Sequence, residues 1–112
     1  MKPYEVRVAE SARRDIRDIA RYIAEEHPDG ARRWLNTIWD AMLDLGALPR
    51  RAARAPQSAH LDYEVRRRVV SEHLVFFTID EAAQIVYVLR VWPARRQPLE
   101  PEELALPDVG EE

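Results

Sequence analysis

The sequence predicts an α+β domain in which two antiparallel helices pack on one face of a four-stranded, mainly antiparallel sheet, in the order β-α-α-β-β-β. Three observations predict it. Two amphipathic helical stretches follow one another across a single Pro-Asp-Gly break. Three apolar, β-branched and aromatic runs close the body, joined by links short enough for hairpins. A short alternating stretch precedes the first helix. With 112 residues, 46% of them hydrophobic and 33% charged, the chain has room for one core, and no apolar run approaches the roughly 18 residues of a membrane span.

The elements follow in order. Residues 4 to 8, YEVRV, alternate apolar with charged and read as a half-buried strand. Ser11 offers an N-cap, and Ala12, Ile16, Ile19, Ala20 and Ile23 recur at helical spacing, with Arg13, Arg14, Arg17, Asp18, Arg21 and Glu25 on the other face. Pro28 disfavours helix at His27, Asp29 can cap a second helix, and Ala31, Trp34, Leu35, Ile38, Ala41, Met42 and Leu45 form its stripe until Pro49. Residues 50 to 62 show neither period and read as a polar, arginine-bearing loop. Strands are expected at 63 to 70, 74 to 79 and 84 to 92. In the last, alternation groups Ile85, Tyr87, Leu89 and Val91 on one face and Val86, Val88, Arg90 and Trp92 on the other. Both faces begin apolar, so the helices are expected to cover one and a partner the far end of the other. In the strand before, Val65, Arg67 and Val69 are assigned to the core side, and Glu64, Arg66 and Arg68 to the outside.

Charge is unevenly divided along the chain. The whole carries -3, yet residues 1 to 99 hold 17 bases against 14 acids, a net +3, while residues 100 to 112 hold six acids and no base. This divides the chain into a domain, 1 to 99, and an acidic tail, 100 to 112, expected to be flexible with at most a helical turn over 101 to 106. Sixteen of the 17 bases are arginine, whose planar fork suits carboxylate and phosphate. The opening MKPYEVRVAE puts an acid and an arginine where an export signal needs apolar residues, and cysteine is absent, so a reducing cytoplasm is expected. His27, His60 and His73 lack ligand spacing, and no glycine-rich loop occurs, so no metal and no cofactor are expected.

The helical hairpin SARRDIRDIARYIAEEHPDGARRWLNTIWDAMLDLGALPR, with Asp15, Ile16, Ile19, Tyr22 and Ile23, the Pro-Asp-x-Ala turn and Leu45-x-x-x-Pro49, resembles that of the ParE/RelE superfamily of toxins from type II toxin-antitoxin systems. The stretches VRRRVVSEHLVFFTID and IVYVLRVWPARRQP are similar to the later strands of that family, and the likeness runs from residue 4 to 98. Where relatives commonly place a histidine after the last strand, this chain has Pro93.

The resemblance implies a growth-arresting toxin held inactive by a cognate antitoxin with an acidic, amphipathic C-terminal segment. A ParE-like member inhibits DNA gyrase without catalysis. The alternative is a RelE-type endonuclease acting on mRNA at the ribosome, with Glu64, Arg66, Arg68 and Arg90 at the scissile phosphate. Because an arginine exchanges protons poorly, acid-base duty there would fall to Glu64, His73 or Tyr87. A third reading is a non-toxic binding module of the same fold. The residues expected to meet a partner are Arg66, Arg68, Arg90, Trp92, Arg95 and Arg96, with Trp92 either a packing plug at the sheet's end or an interface anchor. The acidic tail is a candidate to fold back over this arginine surface.

Overall fold

The structure is a computed structural model, and it describes residues 3 to 107. Strand β1, Glu5–Val8, leads into helices α1, Glu10–Ala24, and α2, Pro28–Asp44. Two 3-10 turns, Pro49–Arg51 and Pro56–His60, flank a short strand β2, Ala53–Arg54. The meander β3, Arg66–Val70, β4, His73–Asp80, and β5, Ile85–Pro93, follows, and a 3-10 turn at Pro101–Leu104 closes the described chain. The sheet order is β1-β5-β4-β3-β2, with β1 parallel to β5 and every other pair antiparallel. The α+β class and element order are as predicted; the fifth strand is β2, two residues of the stretch read as loop.

The helices begin differently from expectation. Glu10, not Ser11, opens α1, and Ser11 donates its Oγ hydrogen to the Leu89 carbonyl at 2.7 Å instead of capping its own helix. Pro28 is the first residue of α2, where its missing N–H costs nothing, and Asp29 lies in the first turn, facing the positive helix end. After α2 ends, Gly46 accepts a hydrogen bond from Tyr4 N at 2.8 Å, and a Cβ there would sit 2.6 Å from the Tyr4 carbonyl oxygen. Only glycine lets the start of β1 approach so closely.

Alternation along β3 is as read, but its sides are exchanged. Arg66, Arg68 and Val70 stand opposite Phe77, Val75 and His73 on the helix side, whereas Val65, Arg67 and Val69 take the other. In β5 a bulge sets Phe76 against Arg90 and Phe77 against Val88, so Leu89 is the extra residue. One added residue inverts the alternation beyond it. Val86, Val88 and Val91 therefore join the helix-side core, while Tyr87, Leu89, Arg90 and Trp92 face the opposite way.

Two apolar clusters result. The first lies between helices and sheet and includes Ile16, Ile19, Ile38, Met42, Val75, Phe77, Val86, Val88 and Val91. The second covers the other face, where Ala55, Val65, Phe76 and Leu89 pack with Leu99 and Leu104. Gln57 Nε2 donates to the Leu99 carbonyl at 2.9 Å and the Tyr63 hydroxyl to the Leu104 carbonyl at 2.6 Å. Glu100 and Glu103 form a reciprocal capping box around the last turn. The second face is thus filled by the chain's own residues 99 to 104, not left open for a partner, and the part of the expected flexible tail from 100 to 104 is packed. Its acids Asp108, Glu111 and Glu112 lie outside the described residues.

Leu104 is 0% exposed, so Leu104→Ala is expected to cost about 3 kcal/mol through lost burial and a residual cavity. Urea unfolding measures this; a cost below about 0.5 kcal/mol would mean the segment is not part of the core.

Candidate partner-binding surfaces

Most arginines singled out from the sequence are occupied within the chain. Glu64, just ahead of β3, is a hub: Arg66 Nε lies 2.8 Å away, and Arg50 Nη1 and Arg54 Nε lie at 3.4 Å. The hydrogen bond from Arg66 holds its carboxyl below the ordinary carboxylate range. Arg66 also donates to the carbonyl of Arg50 at 3.2 Å and to that of Ala52, tying β3 to the loop before β2. Arg68 reaches the last turn of α2, donating through Nη1 to the Ala41 carbonyl at 3.0 Å and to Asp44 at 3.1 Å. A cation there meets the helix's unpaired carbonyls and the negative end of its dipole.

Arg90 sits at the opposite edge and on the opposite face. Beyond Val8, β1 ends and the edge of β5 would stand bare, but α1 covers it. Ala9 N donates to the Val88 carbonyl at 2.9 Å, Ser11 to that of Leu89, and the Val91 N–H to Asp15 Oδ2 at 3.0 Å. The same carboxylate accepts Arg90 Nε at 2.7 Å and Nη2 at 3.0 Å, a bidentate pair with both side chains largely buried. Asp15 raises the affinity of Arg90 for its proton further.

Trp92 is half-buried against the second core, and its Nε1 donates to the Gln97 carbonyl at 2.9 Å. The guanidinium carbons of Arg90 and Arg96 lie 5.0 Å and 4.7 Å from its ring centroid. Arg95 pairs with Glu72 in the β3-β4 turn, 3.5 Å apart and exposed. The six residues expected at a partner therefore do not form one patch. Arg90, Trp92 and Arg96 come together; Arg66 and Arg68 lie on the other face, two strands away, and Arg95 turns to Glu72.

The residues considered for acid-base work are also dispersed. Glu64 lies beside Thr78, whose Oγ1 donates to its carbonyl at 2.8 Å, whereas His73 begins β4 five residues earlier, about 17 Å along the strand. His73 accepts a hydrogen bond at Nδ1 from Trp34 Nε1 at 3.2 Å, and burial followed by Arg96 pushes its pKa below the usual imidazole value, against the pull of Glu72. Tyr87 lies on the second face. Among the described residues no group of three or more His, Cys, Asp or Glu could hold a metal ion, and no helix is long and apolar enough to cross a membrane.

Among the described residues three concave surfaces border α1, the largest, of about 710 Å³, lying at its first turn beside Tyr63, Ile79 and Tyr87. A groove of about 430 Å³ between α1 and α2 is floored by Ile16, Ala20, Leu35 and Trp39 and rimmed by Arg13, Arg17 and Arg21. A cleft of about 300 Å³ lies between α1 and the end of β5, lined by Ser11, Arg14, Asp15, Asp18, Ile19 and the Arg90 to Trp92 strand end with Arg96. Sequence reading placed the α1 arginines on a solvent face and gave Asp15 no role; the signal available was an aspartate interrupting the apolar stripe beside Ile16.

A family model described as "ParE toxin of type II toxin-antitoxin system, parDE" matches residues 6–98. Among solved structures, the chain is similar to one of the chromosomal ParDE system from P. aeruginosa, at 15% identity and TM-score 0.68, covering 82% of this chain and 97% of that one. It is also similar to a chain of the RelBE2 toxin-antitoxin complex from Mycobacterium tuberculosis, at 25% identity and TM-score 0.54, covering 84% and 95%. No curated protein sequence matches.

Two measurements test the electrostatics. Asp15→Ala strands a buried guanidinium and an N–H, and is expected to cost about 3–5 kcal/mol in urea unfolding; adding Arg90→Leu should cost less than the sum of the single changes, since the orphaned charge is gone. His73 has a folded pKa below its unfolded value near 6.5, so its contribution is complete above about pH 6.5 and is lost as pH falls through the depressed folded value. Melting between pH 7.5 and 5.5 should therefore fall more steeply for the native chain than for His73→Gln, which keeps an acceptor and does not titrate.

Proposed function

Since the chain belongs to the ParE toxin family of type II toxin-antitoxin systems, we propose that it acts as a ParE-like inhibitor of DNA gyrase, neutralised by a cognate antitoxin, and not as a ribosome-dependent nuclease. One observation carries this choice. Glu64, Arg66, Arg68 and Arg90, the set a nuclease would bring to one phosphate, are spread over two faces and bound to Glu64, Asp44 and Asp15 of the same chain. Cleavage through a 2'-hydroxyl needs base, cation and acid within reach of a single phosphorus atom. Residues 99 to 104 also fill the second sheet face, which a bound strand would have to share. A toxin that works by occupying its target needs only surfaces.

The antitoxin's place is the groove between α1 and α2. An apolar floor with three arginines on its rim is complementary to an amphipathic helix that carries acids beside its apolar stripe. Arg13 lies 5.5 Å from the Trp39 ring centroid, Arg17 pairs with Glu10 at 3.0 Å and Arg21 with Asp18 at 3.6 Å, all near solvent and free to exchange partners.

Expression of the chain alone is expected to arrest growth and expression with the product of a neighbouring small gene to relieve it. The purified toxin should inhibit gyrase supercoiling and leave ribosome-bound mRNA intact. Arg13→Glu with Arg17→Glu should weaken antitoxin binding tenfold or more and flatten its salt dependence. Cleaved mRNA with unaffected gyrase would reverse the assignment.

A further inference from the structure

On the side of α1 away from the groove, the cleft beside β5 has a different composition. Asp18 holds only an exposed pair with Arg21 at 3.6 Å, whereas Asp15 is committed to Arg90 and the Val91 N–H. Neither Arg14 nor Arg96 makes an ion pair among the described residues, and Arg96 is held only over the Trp92 ring. Ile19, Val91 and Trp92 supply an apolar wall between them. Tyr22 continues the row of Ser11, Asp15 and Asp18 one turn on, at i+4 from Asp18, and is 76% exposed, the most exposed large hydrophobic residue described. Tryptophan and arginine line the recess, with Tyr22 exposed one turn beyond its lining, and these residue types are the ones that anchor protein interfaces.

We propose that this surface, Arg14, Tyr22, Trp92 and Arg96, is where the toxin grips its target, by taking a carboxylate-bearing polypeptide segment into the cleft while the antitoxin groove on the other side of α1 stays separate. The inference rests on the toxin reading above. The chemistry favours a polypeptide over a nucleic acid, because Asp15 and Asp18 line the same cleft and would repel a continuous run of phosphates. A single carboxylate reaching Arg14 and Arg96, followed by an apolar or aromatic side chain against Trp92 and Tyr22, meets no such penalty. A recess of about 300 Å³ is at the small end for ligand pockets and suits one or two side chains. The bidentate tie of Arg90 to Asp15 fixes the cleft wall beforehand, so binding orders only the two free guanidiniums.

The test uses the full chain with Arg14→Glu and Arg96→Glu together, and separately Tyr22→Ala; Arg14→Gln with Arg96→Gln serves if charge reversal lowers the melting temperature. Growth arrest on titrated expression and affinity for the cognate antitoxin are measured side by side. The expected result is a tenfold or greater loss of arresting potency with antitoxin affinity within threefold of the native chain. Undiminished arrest overturns the proposal while leaving the toxin reading intact. Parallel loss of antitoxin affinity overturns it too, since the surface would then belong to the antitoxin. Binding of duplex DNA or RNA by the native chain that these changes abolish would overturn the polypeptide assignment. A native chain that arrests nothing removes the toxin reading, and this inference with it.

Discussion

A single carboxylate, Asp15, ties α1 to the end of β5 that β1 leaves unpaired. β1 has four residues and β5 nine, so more than half of β5 would present unpaired backbone on that side. α1 takes over where β1 stops, through Ala9, Ser11 and then Asp15, which satisfies Val91 and clamps Arg90. An aspartate inside an apolar stripe is costly unless every lone pair finds a donor, and here three donors converge on it. The bulge at Leu89 belongs to the same device. It turns Arg90 and Trp92 onto the face away from the helices, yet leaves the guanidinium close enough to the edge to meet α1.

The other arginines follow the same logic. Arg68 closes the end of α2, and Arg66 with Arg50 and Arg54 surrounds Glu64 to hold the irregular stretch before β3. A guanidinium offers five donors, so a loop poor in regular backbone pairing is a natural place for it. These arginines are structural first, and a partner recruiting them would have to displace a carboxylate or a carbonyl already in place. The cations with unspent capacity flank α1: those around the apolar floor of the hairpin groove hold weak surface pairs, and Arg14 and Arg96 at the β5 cleft make no ion pair among the described residues.

Covering both sheet faces changes what the molecule can do. The apolar residues on both sides of β5 require cover on both sides, and the second cover is residues 99 to 104. Among the described residues this second sheet face is internal where Leu99 and Leu104 pack on it. Arginine-rimmed concave surfaces lie instead along α1.

Local periodicity was enough for the elements: the hairpin of helices, the meander and their order are written in runs of 3.6 and 2, and the family likeness rests on the same stretches. Arg90, Trp92 and Arg96 come together because they lie within six positions of one another at the end of β5, although Arg95 from the same stretch turns to Glu72. Alternation also separated Val65, Arg67 and Val69 from Arg66 and Arg68, but a period of two says nothing about which set meets the helices. The bulge, the Asp15–Arg90 pair 75 positions apart and the burial of Leu104 were not legible. Each is settled by what lies opposite in space, where a carboxylate, a strand edge or a bare apolar face must be satisfied by whichever residue the folded chain brings to it.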